Sequence, residues 1–153
     1  MYYFAYGSNH GLDQMKHRCP DAKKVGNTIL KDVQLIFIGE KQHEAYASLA
    51  MKEGAETPIT IYELTEKDIE SLDRYEGVHQ GRYRKESWRV RFEGQRIEGM
   101  IYLKTSGVYH IPSEEYMNRM VKGYKDQGFD LKTIYLALDL SEKFEGQPCL
   151  QKI

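Results

Sequence analysis

The chain has 153 residues, 41% of them hydrophobic and 29% charged, and its 22 Lys and Arg against 23 Asp and Glu leave a formal charge of −1. A chain of that length buries about two-thirds of its unfolded surface in one core, and this composition belongs neither to a disordered segment nor to a membrane protein. The charge balance supplies no face-wide positive field for a nucleic-acid backbone, no apolar run approaches the ~20 residues needed to cross a bilayer, and Met1 to Tyr6 lack the basic start of a secretion signal. No nucleic-acid or membrane partner is expected, and the expected compartment is the cytoplasm.

No linker, repeat or low-complexity block divides the chain, so residues 1–153 are read as one domain. In chain order, β-branched and aromatic runs predict strands over 2–6, 27–31, 33–38, 45–51 and 59–64. At Thr65 the period changes. Thr65 and Asp68 form a variant of the capping box, and the spacing of Ile69, Leu72 and Tyr75 predicts a short helix over 66–75 that Gly77 stops. Glu76 then sits at the helix end, where a sharp turn can present its carboxylate to a neighbouring cleft.

Alternation predicts two further strands, over 82–92 and 96–103, joined by Glu93-Gly94-Gln95 as a hairpin. The basic string Arg82-Tyr83-Arg84-Lys85 reads as one solvated strand face, with Arg84 in a surface ion pair. Ser113 caps a helix with Glu114 and Glu115 in its first turn and an apolar stripe of Tyr116, Met117, Met120, Val121 and Tyr124, ending before Gly128. A last helix is predicted over 131–138 with Asp130 as cap, followed by a polar tail without a signal. Strands and helices do not alternate strictly, which points to an α+β domain.

Candidate chemistry begins at Tyr6-Gly7-Ser8-Asn9, directly after the first strand. Successive amides in such a turn can converge on one oxygen, although Gly-Ser-Asn after a strand is also ordinary turn chemistry. Taken alone, Glu76 reads as a solvated turn residue. The histidines at 10, 17, 43, 79 and 110 include no HExxH pair, and Cys19 and Cys149 fall in no metal-binding or disulfide spacing, so no metal site is expected. Ser8 has no base in its sequence neighbourhood and is expected to orient rather than attack.

Four motifs occur in order: Tyr3-Phe4-Ala5-Tyr6-Gly7-Ser8-Asn9, Leu72-Asp73-Arg74-Tyr75-Glu76-Gly77-Val78, Tyr83-Arg84 and Pro112-Ser113-Glu114-Glu115-Tyr116. Together they resemble the γ-glutamylcyclotransferase family. The resemblance implies a compact, barrel-like mixed sheet flanked by helices. It also implies a cofactor-free reaction in which the α-amine of a γ-glutamyl group attacks its own γ-carbonyl and releases 5-oxoproline. It places the catalytic proton transfer on Glu76. Substrate contacts fall on Tyr3, Phe4, Ala5, Tyr6, Gly7, Ser8 and Asn9, on Tyr116, and secondarily on Tyr83. Tyr3 and Tyr116 also fit the core, and a buried phenol can serve both ends.

His10, where the family commonly has an aliphatic residue, and the divergent stretch 47–58 with Gly54-Ala55-Glu56 leave the expelled group open. Glutathione, a γ-glutamyl amino acid, a γ-glutamyl amine and a γ-glutamyl-protected intermediate all remain candidates. So do a homodimer and a binding module that keeps the fold without turnover.

Overall fold

Tyr2–Ala5 forms strand β1, and alternation sends its side chains to opposite faces: Phe4 enters one hydrophobic cluster while Tyr3 and Ala5 enter another. In the computed structural model, which describes residues 1–153, β1 pairs antiparallel with β3 (Tyr46–Glu63) and parallel with β5 (Gln95–Lys104). With β2 (Lys23–Gly39), β4 (Tyr83–Phe92) and β6 (Val108–Tyr109), the strand order is β4-β5-β1-β3-β2-β6. The sheet curls. Thr28 Oγ1 on β2 donates to the Arg91 carbonyl on β4 at 3.1 Å although the two strands are not neighbours, which rolls the sheet into an open half-barrel.

Four helices close the two faces: α1 (Leu12–Arg18), α2 (Glu66–Tyr75), α3 (Glu114–Gln127) and α4 (Lys132–Lys143). Met15 of α1 and Leu72 of α2 pack with Tyr3, Ala5, Tyr62 and Tyr102 on one face. Met120 and Tyr124 of α3 and Ile134 and Ala137 of α4 pack with Phe4, Phe37 and Leu49 on the other. The architecture is the mixed, barrel-like α+β sheet that the family resemblance implies.

The capping box of α2 is complete: Thr65 Oγ1 accepts from the Asp68 amide at 3.2 Å and Asp68 Oδ2 accepts from the Thr65 amide at 3.1 Å. Ser113 caps α3 by accepting from the Tyr116 amide at 3.1 Å, and Gly128 ends that helix in the left-handed region. Glu93 and Gly94 both have positive φ, 50° and 76°, so Phe92 and Gln95 pair and the hairpin turn is two residues rather than three.

Elsewhere the boundaries move. Strands expected over 27–31 and 33–38 are one strand, bent at Asp32 with φ of 60°, whose carboxylate accepts from the Gly54 amide at 2.9 Å. The runs 45–51 and 59–64 likewise merge into β3, and residues 52–55 are an excursion within that strand. They lie outside the lining of the main cavity, so only the start of the divergent stretch, at Ala47, shapes the site. α1 was not expected. Its signal is short, Leu12, Met15 and Cys19 spaced for one helical face with Lys16, His17 and Arg18 at the favourable C-terminal end. α4 runs five residues beyond the expected 138, to Lys143, because Ser141 packs inward and donates to the Phe37 carbonyl at 3.2 Å. The tail also pairs: Met51 and Ile153 amides bond to the Gln151 and Leu49 carbonyls.

Candidate active site

A cavity of about 240 Å³ opens where β1 ends, walled by the Tyr6–Asn9 turn, the α2–β4 connection, the first residues of β3 and one face of α3. Tyr3, Tyr6, Gly7, Ser8, Asn9, Glu76, Tyr83 and Tyr116 all line it. The structure therefore gathers eight of the ten sequence-predicted residues from five segments. Phe4 and Ala5 are the other two, and their side chains are fully buried in the two cores rather than in the cavity wall. They hold β1 in place.

Glu76 is the C-cap of α2, and Gly77 follows in the left-handed region with φ of 64°. A side chain at Gly77 would be strained by that φ and would overlap the Arg82 guanidinium. The reversal it permits turns Glu76 into the cavity. The carboxylate accepts no hydrogen bond and makes no ion pair with the protein, and loss of solvent raises its pKa from 4.5 to about 7 against the opposing charges of Arg18 and Arg82. Burial dominates because neither guanidinium closes on it: Arg18 donates to Asn9 Oδ1 at 3.1 Å and stacks over Tyr75, and Arg82 donates to Gln80. The site thus holds a carboxyl group that exchanges a proton near neutrality.

The opening turn is braced at Asn9. Its side chain donates to the Tyr3 hydroxyl at 2.9 Å and accepts from Gln14 and Arg18 of α1, while the Tyr62 hydroxyl bonds its carbonyl at 3.1 Å. Gln14 also donates to Ser8 Oγ at 2.8 Å, so both side chains hold the turn rigid. Within it, the amides of Gly7, Ser8 and Asn9 donate to no protein acceptor. Gly7 has a φ of −110°, outside the left-handed region, and a methyl group there would sit at ordinary contact distances, 3.4 Å from Ala47 Cβ and 3.6 Å from the Tyr116 hydroxyl, filling cavity space without a clash. From the far side α3 presses on the turn, where a Cβ on Gly123 would come within 2.9 Å of the Gly11 amide nitrogen.

Three tyrosines converge on Ala47. Its amide donates to the Tyr116 hydroxyl at 3.1 Å, and its carbonyl accepts from Tyr83 at 2.8 Å and more weakly from Tyr6 at 3.4 Å. Tyr6 also donates to the Tyr102 carbonyl at 2.5 Å. Burial, reinforced by the Glu76 charge, pushes the phenols of Tyr3, Tyr6, Tyr83 and Tyr116 above their ordinary range, so all four stay protonated. Their roles differ. Tyr6 and Tyr83 spend their protons on backbone carbonyls and offer only lone pairs, whereas Tyr3 and Tyr116 accept from Asn9 and Ala47 and keep a proton to donate.

The sequence reading missed the cations. Arg18, Arg82, Lys104 and Arg119 line the same cavity, with Glu76 as its one carboxylate. They come from α1, the α2–β4 connection, β5 and α3, and no local spacing marks them. His10 does not line the cavity: it is fully buried behind the turn, its Nδ1 2.8 Å from Thr60 Oγ1, and desolvation lowers its pKa to about 3. Arg84 pairs with Glu86 on the strand surface at 2.8 Å, as expected. No group of three His, Cys, Asp or Glu side chains is placed to hold a metal ion.

Residues 59–135 match the model of the AIG2-like family. The chain is also 31% identical to mouse γ-glutamylcyclotransferase over 82% of its own length and 71% of that protein, and 30% identical to the human protein of the same name over 85% and 73%. The chain belongs to the AIG2-like, γ-glutamylcyclotransferase family. A solved structure titled γ-glutamyl cyclotransferase superposes with a TM-score of 0.74 at 27% identity, over 97% of this chain and 89% of that one. Membership in this family supports a cyclotransferase-type enzyme. No helix is long and apolar enough to cross a membrane.

Proposed function

We propose that the protein cyclises a γ-glutamyl group to 5-oxoproline and expels the amine or amino acid attached to it, with Glu76 as general acid and base. The observation that carries this reading is a carboxylate free of protein hydrogen bonds, with its pKa near 7, in the same cavity as three unpaired amides of a braced turn. The α-ammonium of a γ-glutamyl compound must lose a proton before its nitrogen can attack, and a carboxylate that titrates near neutrality is suited to take it and return it to the departing nitrogen.

In this reading the ammonium enters against Glu76 and the lone pairs of Tyr6 and Tyr83. The amides of Gly7, Ser8 and Asn9 and the free proton of Tyr116 face the γ-carbonyl oxygen. As the α-amine bonds to the γ-carbon, charge builds on that oxygen, and fixed donors stabilise it without reorganisation. The tetrahedral centre then collapses, the bond to the leaving nitrogen breaks as Glu76 gives that nitrogen the proton it took, and the ring nitrogen loses its second proton through the regenerated carboxylate to the departing amine. Ser8 accepts from Gln14 and keeps its own hydroxyl proton, so in this reading it orients and does not attack.

Incubating the wild type and Glu76→Gln with a panel of γ-glutamyl amino acids and amines, and scoring 5-oxoproline by mass spectrometry, tests the assignment. The expected result is product from the wild type and a loss of about 10²- to 10⁴-fold in the variant. Equal product from both would remove Glu76 from the mechanism, and product from neither across the panel would favour a binding module on the same fold.

A further inference from the structure

Arg18 touches both the braced turn and the helix end that carries Glu76. It is the last residue of α1, and that end of the helix is fastened to α2: Ser71 Oγ donates to the Arg18 carbonyl at 2.6 Å and Cys19 Sγ to the Asp68 carbonyl at 3.6 Å. Met15, Cys19 and Leu72 of the same two segments share one hydrophobic cluster. From this fixed point the side chain reaches two ways. Nη1 donates to Asn9 Oδ1 at 3.1 Å, and the guanidinium carbon lies 4.5 Å from the centre of the Tyr75 ring, the residue next to Glu76.

Its charge acts in the same place. Arg18 favours the ionised form of Glu76 and also lowers the phenols of Tyr3 and Tyr116, against the burial that raises them. Arg82, the other charge that acts on Glu76, donates instead to Gln80 within its own connection and lies over Gly77. The phenols that feel Glu76 from the remaining elements, those of Tyr3, Tyr6, Tyr83, Tyr102 and Tyr116, stay protonated around neutral pH and add no charge there.

Ring closure, on which this inference rests, makes one demand that neither element meets alone. The turn amides serve the γ-carbonyl oxygen and Glu76 serves the α-amine of the same molecule, so the two must keep a fixed mutual position. A misplacement of about 1 Å costs on the order of 10²-fold in rate.

We propose that Arg18 is a positioning residue for the ring closure, its guanidinium holding the Tyr6–Asn9 turn and the Glu76 end of α2 in one register. Its planarity matters, because a flat fork can bond to Asn9 while stacking on Tyr75, and an ammonium cannot reproduce both. Its charge serves the same base by favouring the carboxylate that accepts a proton.

Two substitutions separate shape from charge: Arg18→Lys keeps the charge and loses the fork, and Arg18→Met loses both. The Glu76 carboxyl is titrated by carbon NMR, its resonance assigned by its absence from Glu76→Gln, which needs no turnover. Values of kcat and KM for γ-glutamyl-glycine are measured at about pH 9, where the carboxylate is mostly ionised throughout. The Lys variant is expected to titrate at the wild-type midpoint and the Met variant about one pH unit higher. Both are expected to lose about tenfold or more in kcat with KM held within about twofold. A Met variant with an unmoved midpoint, a Lys variant with full kcat, or a loss carried by KM alone overturns the proposal, the last by making Arg18 a substrate-binding residue. The Lys variant decides the alignment by itself should the Met variant fail to fold. No 5-oxoproline from the wild type would sink the cyclotransferase reading and the alignment that rests on it, whereas product together with any of those three results would keep the reading and sink the role of Arg18.

Discussion

Glu76 joins a neutral-range proton acceptor to a substrate that arrives protonated. Since burial holds its pKa near 7, kcat/KM is expected to fall on the acid side with a midpoint near that value, because only the ionised carboxylate can accept a proton. In the complex the substrate ammonium sits beside the carboxylate and favours its charged form, so the acid limb of kcat should lie at lower pH than that of kcat/KM. Rate profiles between about pH 5 and 9 check both, and an acid limb near the ordinary carboxylate value would show that the Glu76 carboxyl is not shifted in the free enzyme. At this scale the tyrosines and Glu76 were legible because they fall in contiguous motifs. The four cations were not, since residues 18, 82, 104 and 119 become neighbours only in the folded chain. Their local sequence reads as ordinary surface charge.

Gly77 is where a helix end becomes a functional element. α2 stops there in a left-handed turn, the next residues form a short 3-10 turn, and Arg82 folds back over the glycine. Gly77→Ala is expected to cost about 1 kcal/mol from the backbone conformation alone, with a further cost as Arg82 is displaced. It should lower kcat/KM by roughly tenfold or more by moving Glu76 out of line. Thermal melts beside steady-state kinetics separate the two effects, and a variant with reduced stability but full activity would show that the turn serves the fold only. The end of α2, the caps and the β4–β5 hairpin could be read from the sequence because each depends on residues within a few positions. The fusion of short runs into the long β2 and β3 could not. Asp32 adopts a positive φ because Gly54, 22 residues away, supplies the amide its carboxylate binds, and no local rule anticipates a contact at that range.

Over the whole molecule two desolvated titratable groups tilt stability in opposite directions. Glu76 has its pKa raised from 4.5 to about 7, so the folded state binds the extra proton between those values and stability from this group falls as pH rises through that window. His10 has its pKa lowered from 6.5 to about 3, so the unfolded state binds the extra proton and stability from this group falls as pH drops through its window. Each slope is about 1.4 kcal/mol per pH unit where the windows overlap, and the two oppose. Glu76→Gln removes one of them: it is expected to match the wild type near pH 4.5 and to exceed it above pH 7 by on the order of 2–3 kcal/mol. Urea denaturation of both proteins at the two ends reads the difference, and a constant offset would mean that Glu76 titrates as it does in the unfolded chain. Sequence alone determined the class of fold, the helix boundaries set by caps, and the motif residues that face one cavity, because those follow from local periodicity and contiguous pattern. Tertiary structure decided the rest, from the burial that moves the Glu76 pKa to the pairing of Ala47 with three tyrosines and the gathering of four cations around Glu76. Desolvation and Coulomb interaction depend on distance through space, and the curled sheet brings residues 18, 47, 76, 104 and 119 around one small volume.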